Sequence, residues 1–118
     1  MNDEAIARFW TAYTEATTEH PLCRHFRLWK NCIVLEVKPG FGGTIRLSFI
    51  QSLYPREGHA SRCLDWLLKL AREHGLTING TIMRSGASKD YLTTRQLRVW
   101  YKRHGARQDA RGNFTFNN

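Results

Sequence analysis

Tyr54-Pro55-Arg56-Glu57-Gly58-His59-Ala60-Ser61-Arg62 has residue types and spacing suited to holding a phosphate group. An alternating run, Ile45 to Ile50, leads into it, and an amphipathic pattern from about His59 to His74 leads out. A glycine and a small residue thus stand where a loop becomes a helix. Helix starts present free backbone N–H groups at the positive end of the helix dipole, and those groups hold anions. Arg56 adds a cation just before the glycine. The same letters also suit a plain strand-to-helix turn, so the remainder of the chain must decide.

Other chemistry is less well provided for. His20, Cys23, His25 and Cys32 are close in sequence, but their spacing matches no standard zinc site, so no metal is expected. Three cysteines cannot all pair within the chain, and Cys63 falls on an apolar helix face. A reduced, cytoplasmic protein is the expectation. No apolar run approaches the roughly 20 residues that span a bilayer. The acidic start, Met1-Asn2-Asp3-Glu4, has the wrong sign for a secretory leader.

The formal net charge is +8 over 118 residues. Residues 1–58 hold 7 Lys/Arg and 6 Asp/Glu, while residues 59–118 hold 11 and 4. A field of that sign attracts polyanions, either nucleic acid or a phosphorylated small molecule.

The positioning elements can be read from periodicity. One domain is expected at this length. Ile6, Phe9, Trp10 and Tyr13 make one stripe of a helix over about 3–17, ended before Pro21. Residues 22–30 carry no clear pattern. Cys32 to Val37 reads as a strand, Pro39-Gly40-Phe41-Gly42-Gly43 as a turn, and Thr44 to Ile50 as the second arm of a hairpin. Ala60, Cys63, Leu64, Leu67, Leu68 and Ala71 line the central helix, and His74-Gly75-Leu76 ends it. A strand over 76–83 follows, with Gly80 marking a bulge or a close backbone approach. Thr93-Thr94-Arg95-Gln96 is a capping box, with Leu92 and Leu97 as its hydrophobic staple. Leu97, Trp100, Tyr101 and His104 share a face of that last helix, Gly105 stops it, and a hairpin over 107–116 closes the chain. The order α, β, β, α, β, α, β, β implies an α/β (α+β) domain on one mixed sheet. The crossover from strand 44–50 to strand 76–83 is expected to be right-handed and parallel.

With these elements in place, the chain resembles the GNAT superfamily of N-acetyltransferases over about Thr44 to Phe116. Its coenzyme motif, Q/R-x-x-G-x-G/A, aligns with Pro55-Arg56-Glu57-Gly58-His59-Ala60. A late helix ending in Tyr-x-x-x-Gly aligns with Tyr101-Lys102-Arg103-His104-Gly105. Pro55 departs from the motif and has no N–H to give a phosphate. The resemblance implies acetyl-CoA as co-substrate, in a cleft between strands 44–50 and 76–83. Its pantetheine would pair with Phe49, Ile50 and Gln51. Its pyrophosphate would sit on the N–H groups of Glu57, Gly58, His59, Ala60 and Ser61, helped by Arg56 and Arg62. Tyr101 would protonate the leaving thiolate, and Glu36 is the candidate base for a primary amine of a small molecule or protein. Tyr101 fits a core aromatic equally well. The other reading is a non-enzymatic module whose basic half holds nucleic acid or an acidic protein. A homodimer is compatible with either.

Overall fold

The computed structural model describes residues 3–54, 57–82 and 93–116. Helix α1 (Asp3–Ala16) runs directly into a short strand β1 (Thr17–Glu19), followed by β2 (Arg27–Trp29), β3 (Ile33–Pro39) and β4 (Thr44–Ser52). Helix α2 (His59–Glu73), β5 (Thr77–Thr81), α3 (Thr94–Arg103), β6 (Arg107–Gln108) and β7 (Asn113–Phe116) complete the order. Among the described residues seven strands join in one mixed sheet, β1-β2-β3-β4-β5-β7-β6. β4 and β5 are its parallel pair, as a strand–helix–strand crossover requires.

Strands β1 and β2 escape the sequence reading because each is three residues long, too short for a period to show. Their antiparallel pairing sets Thr17 against Trp29 and Glu19 against Arg27, and a side chain reinforces it. The Arg27 guanidinium donates to the Thr17 hydroxyl at 2.6 Å and to the Thr17 carbonyl at 3.0 Å, tying β2 to β1, and to the Thr14 carbonyl at 3.2 Å, tying it to α1.

One continuous core lies between sheet and helices. Phe9, Ile33, Leu35, Cys63, Leu64, Leu67 and Leu76 are fully buried in it. Trp66 of α2 stacks on Tyr13 of α1 at 6.2 Å between ring centres and leans on Trp29 of β2 at 5.7 Å. Helix α3 is bonded to α2 through Trp100 and His104. The shortest extent of the molecule is 21 Å, about one helix layer on one sheet.

The opposite sheet face is polar. Lys38 pairs with Arg46, Arg46 with Asn79, Asn79 with Thr115, and Thr115 with Arg107. Register partners share a face, so these five residues form one row across five strands.

Helices α2 and α3 stop in the same way. After α2, Leu76 N–H bonds the Ala71 carbonyl and Gly75 N–H the Arg72 carbonyl, with Gly75 at φ 69°. After α3, Ala106 N–H bonds the Tyr101 carbonyl and Gly105 N–H the Lys102 carbonyl. Each is a Schellman motif, which needs a left-handed residue that glycine supplies without strain. The capping box of α3 is present, with Thr93 accepting from Gln96 N–H and Gln96 from Thr93 N–H. The staple partner Leu92 lies outside the described residues, as do Met83 and the polar loop 84–90.

Candidate functional site

A fork in the sheet is the starting point. β4 and β5 pair at Thr44–Thr77, Ile45–Ile78 and Arg46–Asn79. Beyond Arg46, β4 stays with β3 and leaves β5. A register shift marks the place: Glu36 pairs with Phe49 and Val37 with Leu47, so Ser48 is an extra residue on β4. A bulge of this kind bends its strand and strengthens the local twist. The β4 edge from Ser48 to Ser52, which includes Phe49, Ile50 and Gln51, therefore has no strand partner on the β5 side among the described residues.

Gly80 sits at the apex of the fork. A side chain there would meet the Leu47 carbonyl oxygen and the Phe114 ring, each at 2.5 Å. The glycine thus permits a close backbone approach rather than a bulge, the second of its two sequence readings. Arg46 spans the same point on the polar face, donating to Thr81 Oγ1 at 3.0 Å.

At its far end β4 runs into the start of α2. Gly58 is the N-cap residue, left-handed at φ 75°, and supplies no side-chain cap. The first helical bond is Arg62 N–H to the Gly58 carbonyl at 3.2 Å. The N–H groups of His59, Ala60 and Ser61 are left without helical acceptors, as at any helix start. The Arg62 guanidinium folds over this end, donating to the Glu57 carbonyl at 3.2 Å and to His59 Nδ1 at 2.6 Å. His59 Nε2 in turn contacts the Glu57 carboxylate at 3.2 Å. A cation and free N–H groups therefore converge on one point. Arg56 and Pro55 lie outside the described residues.

Tyr101 is buried, and its ring stacks on Phe114 at 4.2 Å and 19°. Since Phe114 also closes on Gly80, Tyr101 lies two side chains from the fork, on the helix side. Its hydroxyl makes no hydrogen bond with a described residue, and burial raises its pKa well above the ordinary value. Glu36 pairs with Phe49 and is mostly buried, with its carboxylate 3.6 Å from Lys38 Nζ. Its neighbour Leu35 packs fully against the helices, so strand alternation puts Glu36 on the polar face. Tyr101 and Glu36 thus stand on opposite faces of the sheet.

A cleft of about 170 Å³ opens elsewhere, between the C-terminal ends of α2 and α3, lined by Leu68, Ala71, Arg72, Leu76, His104 and Phe116. His104 on its wall also reaches Ser61 in the first turn of α2.

One group of polar residues was missed in the sequence. Ser61 Oγ accepts from Trp100 Nε1 at 3.0 Å and lies 3.2 Å from His104 Nε2, while His104 Nδ1 lies 3.0 Å from Asp65 Oδ1. The signal was available: Ser61/Asp65 and Trp100/His104 are both i, i+4 pairs, each on one helix face.

No family model matches the chain, and no curated protein matches it. Two solved structures share its architecture. The anti-CRISPR protein AcrVA5 is 16% identical, with a TM-score of 0.58 over 73% of this chain and 90% of that one. Ard1 from Thermoplasma volcanium is also 16% identical, with a TM-score of 0.52 over 78% of this chain and 68% of that one. The single mixed sheet and its helices are therefore those of a GNAT-like fold.

Proposed function

We propose that the protein is an N-acetyltransferase that moves an acetyl group from acetyl-CoA to a primary amine of a small molecule or protein. The observation that carries this reading is the fork between β4 and β5 leading to an uncapped start of α2, within a GNAT-like fold. The residues present fit the coenzyme. The free β4 edge at Phe49, Ile50 and Gln51 offers backbone partners to the pantetheine amides. The N–H groups from Glu57 to Ser61, with the Arg62 guanidinium, offer donors to the pyrophosphate, and Arg56 is a further cation that the sequence supplies. Gly58 lets the backbone come close to that anion, because it carries no Cβ.

Tyr101 then serves as the acid on the helix side. A desolvated phenol stays protonated through neutral pH, and the same dry surroundings raise the basicity of a departing thiolate, so the proton passes between groups of comparable strength. Glu36 takes the proton of the incoming amine from the polar face.

A second reading rests on a different observation. The row Lys38, Arg46 and Arg107 on the polar sheet face suits a polyanion, as for a binding module that holds nucleic acid or an acidic protein.

Calorimetric titration with acetyl-CoA tests the first reading. Wild type should bind, and Gly58→Glu should abolish binding by placing a carboxylate against the pyrophosphate site. Absence of heat with wild type at millimolar coenzyme removes the acetyltransferase.

A further inference from the structure

The side chains of Ser61, His104 and Asp65 form a relay that coenzyme binding, which calls only on the Ser61 backbone N–H, does not use. We propose that Ser61 is the nucleophile of a separate acyl-transfer centre, an esterase site for small acyl esters.

The hydrogen bonds give the relay a direction when the His104 ring carries a single proton. Asp65 Oδ1, at 3.0 Å, accepts from His104 Nδ1–H. That tautomer leaves His104 Nε2 with a lone pair, 3.2 Å from Ser61 Oγ. Trp100 Nε1–H donates to the same Oγ at 3.0 Å, and indole can only donate. The single hydroxyl proton of Ser61 is thereby directed to His104. Nucleophile, base and orienting carboxylate are thus in register, each within hydrogen-bond reach of the next.

Placement supplies the rest. Ser61 is the third residue of α2, so its own N–H has no helical acceptor and, when no coenzyme occupies it, can receive an oxyanion beside the nucleophile. Helical side chains lean toward the N-terminus, which keeps Oγ near those free N–H groups. Ser61 is partly exposed and so reachable, while Trp100 is buried and fixes the seryl rotamer.

In the first half-reaction Ser61 Oγ bonds the ester carbonyl carbon and its proton passes to His104 Nε2. The carbon–oxygen bond to the alcohol breaks, and His104 returns the proton to the departing oxygen. Water then attacks the acyl-serine, giving one proton through His104 to Ser61 Oγ and releasing the acid. No redox partner and no coenzyme is needed.

The test is hydrolysis of p-nitrophenyl acetate without coenzyme, so failure here leaves acetyl-CoA binding untouched. Wild type should release p-nitrophenolate with an initial burst, and peptide mass mapping of the quenched protein should place acetyl on Ser61. Ser61→Ala and His104→Gln should each lower the buffer-corrected rate by about a hundredfold. Equal rates in wild type and Ser61→Ala overturn the assignment. Acetyl mapped to Cys23 or to lysines, with Ser61 unmodified, overturns it also, whatever the variants do.

Discussion

Tyr101 is held by its ring rather than by its hydroxyl. Stacking on Phe114 fixes the aromatic plane, and no described residue bonds the phenolic oxygen. Tyr101→Phe should therefore leave the denaturation midpoint close to wild type while lowering kcat by about a hundredfold or more, if the phenol is the acid. Turnover unchanged in that variant would return Tyr101 to the core. Asp109 is a second residue whose charge can be read out. Its carboxylate accepts from Asn113 Nδ2 at 2.9 Å, Asn113 N–H at 3.0 Å and Arg111 N–H at 2.8 Å, and these bonds hold its pKa below the usual carboxylate value. A depressed folded-state pKa contributes stability above the unfolded value, and that stability is lost as pH falls through the folded one. Wild type should therefore lose more stability on acidification below about pH 4 than Asp109→Asn, which carries no such proton linkage. Parallel acid titrations of the two would contradict this.

The elements show which features are written locally. Gly75 and Gly105, each followed by an apolar residue, announced two helix ends that the structure builds from identical bonds. Thr93 and Gln96 announced a helix start, and the alternation of Ile45, Leu47 and Phe49 announced β4. Strands β1 and β2 were silent because their stability comes from partners distant in sequence, Arg27 on Thr17 and Trp29 on Trp66. The bulge at Ser48 was silent too, since a one-residue register shift belongs to a pair of strands and not to either alone. Gly58 was legible as the turn that starts α2, and Tyr101 as a residue on the apolar face of α3. The relay from Ser61 to Asp65 was not, since it needs α2 and α3 side by side. Gly80 connects local and distant: the letter was noticed, and its neighbours explain it. Gly80→Ala would press a methyl group onto the Leu47 carbonyl and the Phe114 ring at once. We expect a loss of about 3 kcal/mol in denaturant melts, at the upper end for overpacking, because one of the two neighbours is backbone. A loss below about 0.5 kcal/mol would mean that β4 and β5 separate freely at the apex.

Across the whole molecule, charge and layering act together. The helices gather on one face of the sheet, and the other presents Lys38, Arg46 and Arg107 along one register row. If that face holds nucleic acid, duplex DNA should bind with steep salt dependence, and the pair Arg46→Glu with Arg107→Glu should flatten the log–log slope by about 2. An unchanged slope would place the contact elsewhere. The fork has another meaning for the way the chain assembles. β1 to β4 are joined in sequence order by short connections and can zip together from local contacts, whereas β5 meets β4 only after the whole of α2 has been laid down. Three parallel pairs then join two sub-sheets that are each complete without the other, which makes the junction a natural boundary between cooperative units and the last seam of the sheet to close.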